Sequence, residues 1–102
     1  MNDKIRKIIE DNLNGYTLEK IILFGSRARG DFDINSDYDL YLVLKEKLSR
    51  EQKVKLMDML SGKLAEEEIC SDIVIGNEES LKSNSTNSDS IVRFVIEEGQ
   101  LI

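Results

Sequence analysis

The chain of 102 residues contains 14 basic and 20 acidic side chains, which gives a net charge of −6, together with no histidine and one cysteine. The length predicts a single domain over residues 1–102, and the acidic balance disfavours non-specific binding to nucleic acid. Without histidine the chain has no imidazole base and a zinc site is unexpected, while a lone cysteine excludes an internal disulfide framework.

The first third of the chain predicts a helix, a strand and a polar connection. Residues 3–13 place isoleucine and leucine at helical spacing, and the following Asn14-Gly15 is a helix stop signal. The run KIILF at 20–24 predicts a short buried strand. Residues 26–30 predict one helical turn, and residues 31–36 predict a polar loop.

A second strand is predicted over residues 37–45, where the side chains alternate between two faces. One face holds Asp37, Asp39, Tyr41 and Val43, and the other holds Tyr38, Leu40, Leu42 and Leu44. Carboxylates at the start of such a strand contribute little to folding, so Asp37 and Asp39 are candidates for a chemical role. Tyr41 shares their face, where it either flanks a nucleotide or packs in the core.

A second long helix is predicted over about residues 50–66. Ser49 and Gln52 resemble a capping box, in which each residue satisfies a backbone or side-chain group of the other at the helix start. The apolar stripe of this helix is expected to consist of Val54, Met57, Leu60, Leu64 and Ala65.

The remaining chain predicts a third strand and a last helix. The run EICSDIVI at 68–75 predicts the strand, in which Cys70 and Asp72 share one face. Cys70 is expected to pack as a small hydrophobic side chain. Residues 76–90 predict a polar loop, and residues 90–98 predict a helix.

The order of these elements predicts an α/β (α+β) domain with a small mixed sheet flanked by helices. The connection between the strands at 37–45 and 68–75 is long enough for a crossover helix, so we expect those strands to be parallel neighbours. In that arrangement Asp37, Asp39 and Asp72 converge on one face of the sheet.

No apolar run has the length of about 18–20 residues that a membrane-spanning helix needs. Residues 1–15 also lack the apolar block of a signal peptide. We therefore expect a cytoplasmic protein without a membrane partner.

Gly25-Ser26 follows a strand and precedes a predicted helical turn. Glycine lets the backbone come close to a phosphate, and backbone amides at a helix start favour an anion. Ser26 adds a hydroxyl donor, and Arg27 and Arg29 add positive charge. We interpret these residues as a phosphate-binding loop. A bare Gly-Ser pair also occurs in ordinary turns, and it stays open which arginine contacts phosphate and which pairs with a loop aspartate.

Asp37 and Asp39 lie two residues apart on one strand, so both point to one face. Hard oxygen ligands suit Mg²⁺, which also binds substrate phosphates, and Asp72 is the third carboxylate expected at the site. Two Mg²⁺ ions about 3.5–4 Å apart stabilise the attacking and leaving oxygens of an in-line displacement. The structural alternative is that Asp37 caps a loop through Ser36 and that Asp39 pairs with an arginine.

Gly25-Ser26, the ten residues 27–36 and then Asp37-x-Asp39 resemble the motif of the nucleotidyltransferase superfamily. The form GSRARG followed by SDYDL on a short chain resembles the minimal branch of that superfamily, the MNT domain proteins, which are antitoxin partners of HEPN toxins. The resemblance covers nearly the whole chain, up to the closing IEEGQLI. Tyr38 and Tyr41 depart from it, because smaller or aliphatic residues are expected at those positions.

The resemblance implies a nucleotidyltransferase fold and a role for each matched residue. Asp37 and Asp39 would bind both Mg²⁺ ions, and Asp72 would bind the catalytic ion and help to deprotonate the acceptor hydroxyl. Gly25 and Ser26 would hold the β- and γ-phosphates. For the MNT branch the resemblance implies that ATP donates AMP to a tyrosine hydroxyl of a cognate HEPN RNase toxin, which neutralises the toxin, and that pyrophosphate leaves.

The length of the chain independently favours an acceptor that another protein presents, because a single small domain leaves little room for a lobe that encloses a substrate. Two other functions stay open. One is a non-catalytic antitoxin that acts by complex formation. The other is the catalytic subunit of a two-chain enzyme that modifies a small molecule of the aminoglycoside type.

Overall fold

The computed structural model of the protein describes residues 2–25, 27, 30, 37–77 and 99–102. The elements in these ranges are α1 (Asn2–Asp11), β1 (Leu18–Phe24), β2 (Tyr38–Leu44), α2 (Arg50–Glu66), β3 (Ser71–Gly76) and β4 (Gln100–Leu101). The predicted loop at 31–36, most of the turn at 26–30, nearly all of the loop at 76–90 and the helix at 90–98 lie outside the described residues.

The described strands form one sheet in the order β3-β2-β1-β4. β1 runs antiparallel to β2 and to β4, whereas β2 and β3 are parallel. The predicted parallel pairing of the second and third strands is confirmed. It depends on α2, because parallel neighbours need a long crossover connection. The sequence does not predict β4, since a strand of two residues has no alternation for a pattern to detect.

One face of the sheet packs against both helices. Alternate leucines of β2, at positions 40, 42 and 44, are buried there with Ile5 and Ile9 of α1 and with the inner side of α2. Full burial of each such side chain contributes about 1.5–3 kcal/mol, so this layer is the main source of stability. Neither described helix has the length and hydropathy that crossing a membrane requires.

The buried stripe of α2 differs from the predicted one. Leu56, Leu60 and Leu64 are buried, whereas Val54 is 48% exposed and Ala65 is also exposed. The three leucines are spaced four residues apart, so they form one row along the helix. Val54 precedes Leu56 by two residues, or about 200° of helical turn, which places it on the solvent side.

The start of α2 has the predicted capping box. The Ser49 hydroxyl accepts a hydrogen bond from the Gln52 amide at 3.2 Å, and the Ser49 amide donates to Gln52 Oε1 at 2.9 Å. This reciprocal pair satisfies two backbone amides that have no partner within the helix, and it therefore fixes where α2 begins.

A second set of contacts ties the chain before β1 to the chain after β2. The Thr17 amide donates to both carboxylate oxygens of Glu46, at 3.1 and 2.8 Å. The Lys45 amide donates to the Thr17 carbonyl at 2.9 Å. The hydrogen bond from Thr17 lowers the pKa of Glu46, because it favours the ionised carboxylate.

The opposite face of the sheet has its own buried cluster. Ile22 and Phe24 of β1 contact Tyr41 and Val43 of β2, with the half-buried Val74 of β3 beside them. Asp39 and Asp72 belong to the same face, two residues before Tyr41 and Val74 respectively, as the alternation predicts.

Cys70 does not pack as a hydrophobic side chain, as the sequence suggested, but is exposed. It precedes the first residue of β3, and Ile69 beside it is buried instead. The Cys70 carbonyl accepts a hydrogen bond from the Tyr38 amide at 2.9 Å, so its backbone, rather than its thiol, has the structural role.

Candidate active site

Two carboxylates meet at the edge of the sheet where β1 ends and where β2 and β3 begin. In the parallel register of β2 and β3, Asp39 lies directly opposite Asp72. Neighbouring strands are about 4.8 Å apart and opposed residues point to the same face, so the two side chains are adjacent. Asp39 is half-buried and Asp72 is exposed, which gives one anchored and one accessible carboxylate.

Asp37 lies just before β2 and is exposed. Alternation places it on the face of Asp39, one step further toward solvent. In the described part of the chain, no three acidic, histidine or cysteine side chains are grouped closely enough to hold a metal ion. This donor set does not form an all-protein cage, but it fits Mg²⁺, which commonly binds one or two carboxylates together with waters and substrate phosphates.

Gly25 allows the loop after β1 to pass directly over Asp39. Its φ of +74° lies in the region that favours glycine. A Cβ at this position would overlap Asp39 Oδ2 and would lie 3.0 Å from Asp39 Cγ. The pairing of Phe24 with Asp39 across β1 and β2 brings the two residues together. Only glycine therefore fits between the predicted phosphate-binding loop and the predicted metal ligand.

Arg27 lies on the aromatic ring of Tyr38. The guanidinium carbon is 4.3 Å from the ring centroid, which is within the range of a cation–π contact. Ser26 and Arg29 lie outside the described residues, as do the aspartates at 31 and 33. Of the predicted phosphate-binding residues, Gly25 and Arg27 are thus the two whose surroundings are described.

Tyr41 packs within the sheet rather than at its accessible edge. Its side chain is 2% exposed and belongs to the buried cluster on the carboxylate face. The phenol oxygen contacts Gly76, and a Cβ at Gly76 would lie 2.9 Å from the Tyr41 Cζ. Of the two alternatives, core packing is the one observed.

Two features of the site edge were not apparent from the pattern of residues. The sequence places Tyr38 on the face opposite the carboxylates, but it does not show that Arg27 would reach across to its ring. The glycine at position 76 gives no motif, and its use as a gap for the Tyr41 ring depends on the parallel register. In both cases the sequence did contain a signal. Tyr38 and Tyr41 are bulky residues at positions where the family resemblance implies smaller or aliphatic ones.

Residues 3–102 match the family described as "Polymerase beta, Nucleotidyltransferase". A Methanocaldococcus jannaschii protein that bears the provisional name protein adenylyltransferase is 43% identical over 44 residues. That alignment covers 43% of this chain and 44% of the M. jannaschii protein, so the chain matches less than half of that relative's length.

Two solved structures share the fold over most of this chain. One is a toxin–antitoxin complex with AMP-PNP, with 27% identity and a TM-score of 0.62 over 97% of this chain and 69% of that chain. The other is the toxin–antitoxin complex MntA-HepT, with 25% identity and a TM-score of 0.54 over 97% of this chain and 66% of that chain.

Proposed function

Because the chain belongs to the polymerase beta nucleotidyltransferase family, we propose that it is a Mg²⁺-dependent adenylyltransferase and the antitoxin of a HEPN RNase toxin. It transfers AMP from ATP to a tyrosine hydroxyl of that toxin and so neutralises it. The observation that supports this most strongly is the register of β2 and β3, which sets Asp39 beside Asp72 under the loop that starts at Gly25.

Each residue has a distinct task in this reaction. Asp37 and Asp39 would hold two Mg²⁺ ions together with the triphosphate, and Asp72 would hold the catalytic one. When bound, the ions neutralise charge on the phosphates and stabilise the attacking and leaving oxygens. Gly25 and Ser26 bind the β- and γ-phosphates through the backbone and a hydroxyl, with positive charge from Arg27 and Arg29.

The transfer is a displacement at phosphorus. Asp72 accepts the proton of the acceptor hydroxyl, and the hydroxyl oxygen forms a bond to the α-phosphorus of ATP. The bond from that phosphorus to the bridging oxygen breaks, and pyrophosphate leaves with the electron pair. Asp72 suits the role of base because it is exposed, so a hydroxyl on another protein can reach it.

The acceptor is assigned to a second protein for three reasons. Asp37 and Asp72 are both exposed at the sheet edge, so the described part of the site is open to a large partner. The solved structures most relevant here are toxin–antitoxin complexes, one of them with an ATP analogue. An acidic chain also complements a basic, RNA-binding partner.

The reaction is tested by following the label of ATP. The protein is incubated with Mg²⁺, the cognate HEPN toxin and ATP that is labelled either at the α- or at the γ-phosphate. We expect the toxin to gain the α-label and not the γ-label, and the transfer to stop when Mg²⁺ is chelated. Toxin inhibition without any label would instead identify a non-catalytic antitoxin, and label on an added aminoglycoside would identify a small-molecule acceptor.

A further inference from the structure

We propose that Tyr38 is a positioning residue for the phosphate-binding loop, an inference that rests on the proposed nucleotidyl transfer. Its ring supports the Arg27 guanidinium at 4.3 Å and thereby fixes the loop that begins at Gly25. Tyr38 touches neither ATP nor the acceptor in this proposal, and it acts through Arg27 alone.

The Tyr38 ring is a firm support because the residue is held from several sides. Its side chain is half-buried and packs against the core that the helices cover. Its amide donates to the Cys70 carbonyl at 2.9 Å, and its partner in the parallel register is Ser71. A ring that is fixed in this way offers Arg27 one defined surface rather than a range of positions.

The loop is joined to β2 on both faces of the sheet. On the carboxylate face Gly25 lies directly against Asp39, and on the opposite face Arg27 lies on Tyr38. Tyr38 and Asp39 are consecutive, so their side chains point to opposite faces. The first two residues of β2 are therefore held between two points of the same loop, which fixes the distance between the loop and Asp39.

The contact with the Tyr38 ring holds the Arg27 guanidinium beside the start of β2. Holding Arg27 in place before ATP arrives removes an entropic cost from the binding step. Loss of the ring should thus weaken nucleotide binding more than it weakens the fold.

The test is the affinity for AMP-PNP with Mg²⁺, measured by calorimetry. Tyr38→Leu keeps an apolar side chain but removes the ring, and we expect it to weaken binding about tenfold, in line with a cation–π contact. Tyr38→Phe keeps the ring and should bind like the wild type. Tyr16→Leu is the matched control. Tyr16 is also half-buried against the same core, but it precedes β1 and so lies at the opposite end of that strand from Gly25.

A double-mutant cycle separates positioning from a general loss of packing. In an Arg27→Gln background, Tyr38→Leu should cause no further loss, because the ring acts only through Arg27. Arg27→Lys keeps the charge and the intact Tyr38, and it should still weaken binding, since an ammonium lacks the planar face.

Three results would overturn the inference: wild-type affinity in Tyr38→Leu, a loss in Tyr38→Phe as large as in Tyr38→Leu, or losses that multiply in the double variant. If the wild-type protein itself does not bind AMP-PNP with Mg²⁺, the proposed function fails and this inference fails with it. The three results named first leave AMP-PNP binding by the wild type intact, so they overturn the inference without overturning the proposed function.

Discussion

At the scale of single residues, the contact between Gly25 and Asp39 makes the sharpest prediction. Gly25→Ala should lower the rate of AMP transfer by about a hundredfold, because the added methyl group displaces the Asp39 carboxylate. The free energy of unfolding should fall by only about 1–2 kcal/mol, the cost of alanine at positive φ. Transfer assays and urea denaturation measure the two effects separately.

Gly15→Ala is the matched control for this experiment. Gly15 also has a positive φ, of +93°, but no described atom lies within 4 Å of an added Cβ. The two variants should lose similar stability, and only Gly25→Ala should lose activity. Equal transfer rates in both variants would show that AMP transfer does not depend on the contact between Gly25 and Asp39.

Ser71 provides a second prediction at this scale. Its hydroxyl is buried beside β2 and has no hydrogen-bond partner in the described structure. Removing a buried polar group without a partner is neutral or favourable, so Ser71→Ala should leave the free energy of unfolding unchanged or raise it by up to about 1 kcal/mol. A decrease measured by urea denaturation would mean that the hydroxyl does have a stabilising contact.

At the scale of the elements, the capping box determines how well α2 is held. Ser49→Ala removes the acceptor for the Gln52 amide and should lower the free energy of unfolding by about 1 kcal/mol. Ser61→Ala, the same substitution inside α2, should be neutral or stabilising because alanine has the highest helix propensity. Chemical denaturation measures the change in the free energy of unfolding for both variants. Equal changes in Ser49→Ala and Ser61→Ala would contradict the role of the cap.

The link between Thr17 and Glu46 predicts a dependence of stability on pH. The pKa of Glu46 is lowered in the folded protein, so the stabilisation is complete above the unfolded value of 4.5 and is lost as pH falls through the lower, folded value. Glu46→Gln imitates the protonated side chain. It should therefore be less stable than the wild type at pH 7, with a difference that vanishes once the pH is below the lowered, folded pKa of Glu46. A difference that persists in acid would point to packing instead of charge.

At the scale of the whole molecule, local patterns predict the elements but not all of their contacts. The strand with Asp39, the capping box of α2 and the parallel pairing of β2 with β3 were predictable, since each depends on spacing or on connection length. The sequence could not show which apolar residues of α2 form its buried row. Val54 and Leu56 are both apolar, and only tertiary packing decides that Leu56 is the buried one.

Features that depend on the pairing of distant residues could not be predicted from the sequence either. β4 is two residues long and exists through its pairing with β1. The contact of Arg27 with Tyr38 requires Arg27 to lie beside the start of β2, which no local pattern specifies. The exposed Cys70 shows the same limit, because the boundary of β3 decides whether its side chain is buried.

If the aspartates of β2 and β3 form one catalytic site, AMP transfer should depend on Asp72. Asp72→Asn keeps the shape of the side chain but removes the base and its charge. Asp58→Asn, in the exposed part of α2, makes the same chemical change on another element.

The measurement is the initial rate of AMP transfer from ATP to the HEPN toxin with Mg²⁺ present. We predict that Asp72→Asn lowers this rate by about a thousandfold, in the range typical of a lost general base, and that Asp58→Asn leaves it unchanged. A rate for Asp72→Asn within a few-fold of the wild type would show that Asp72 is not the base and that the two strands do not form one catalytic site.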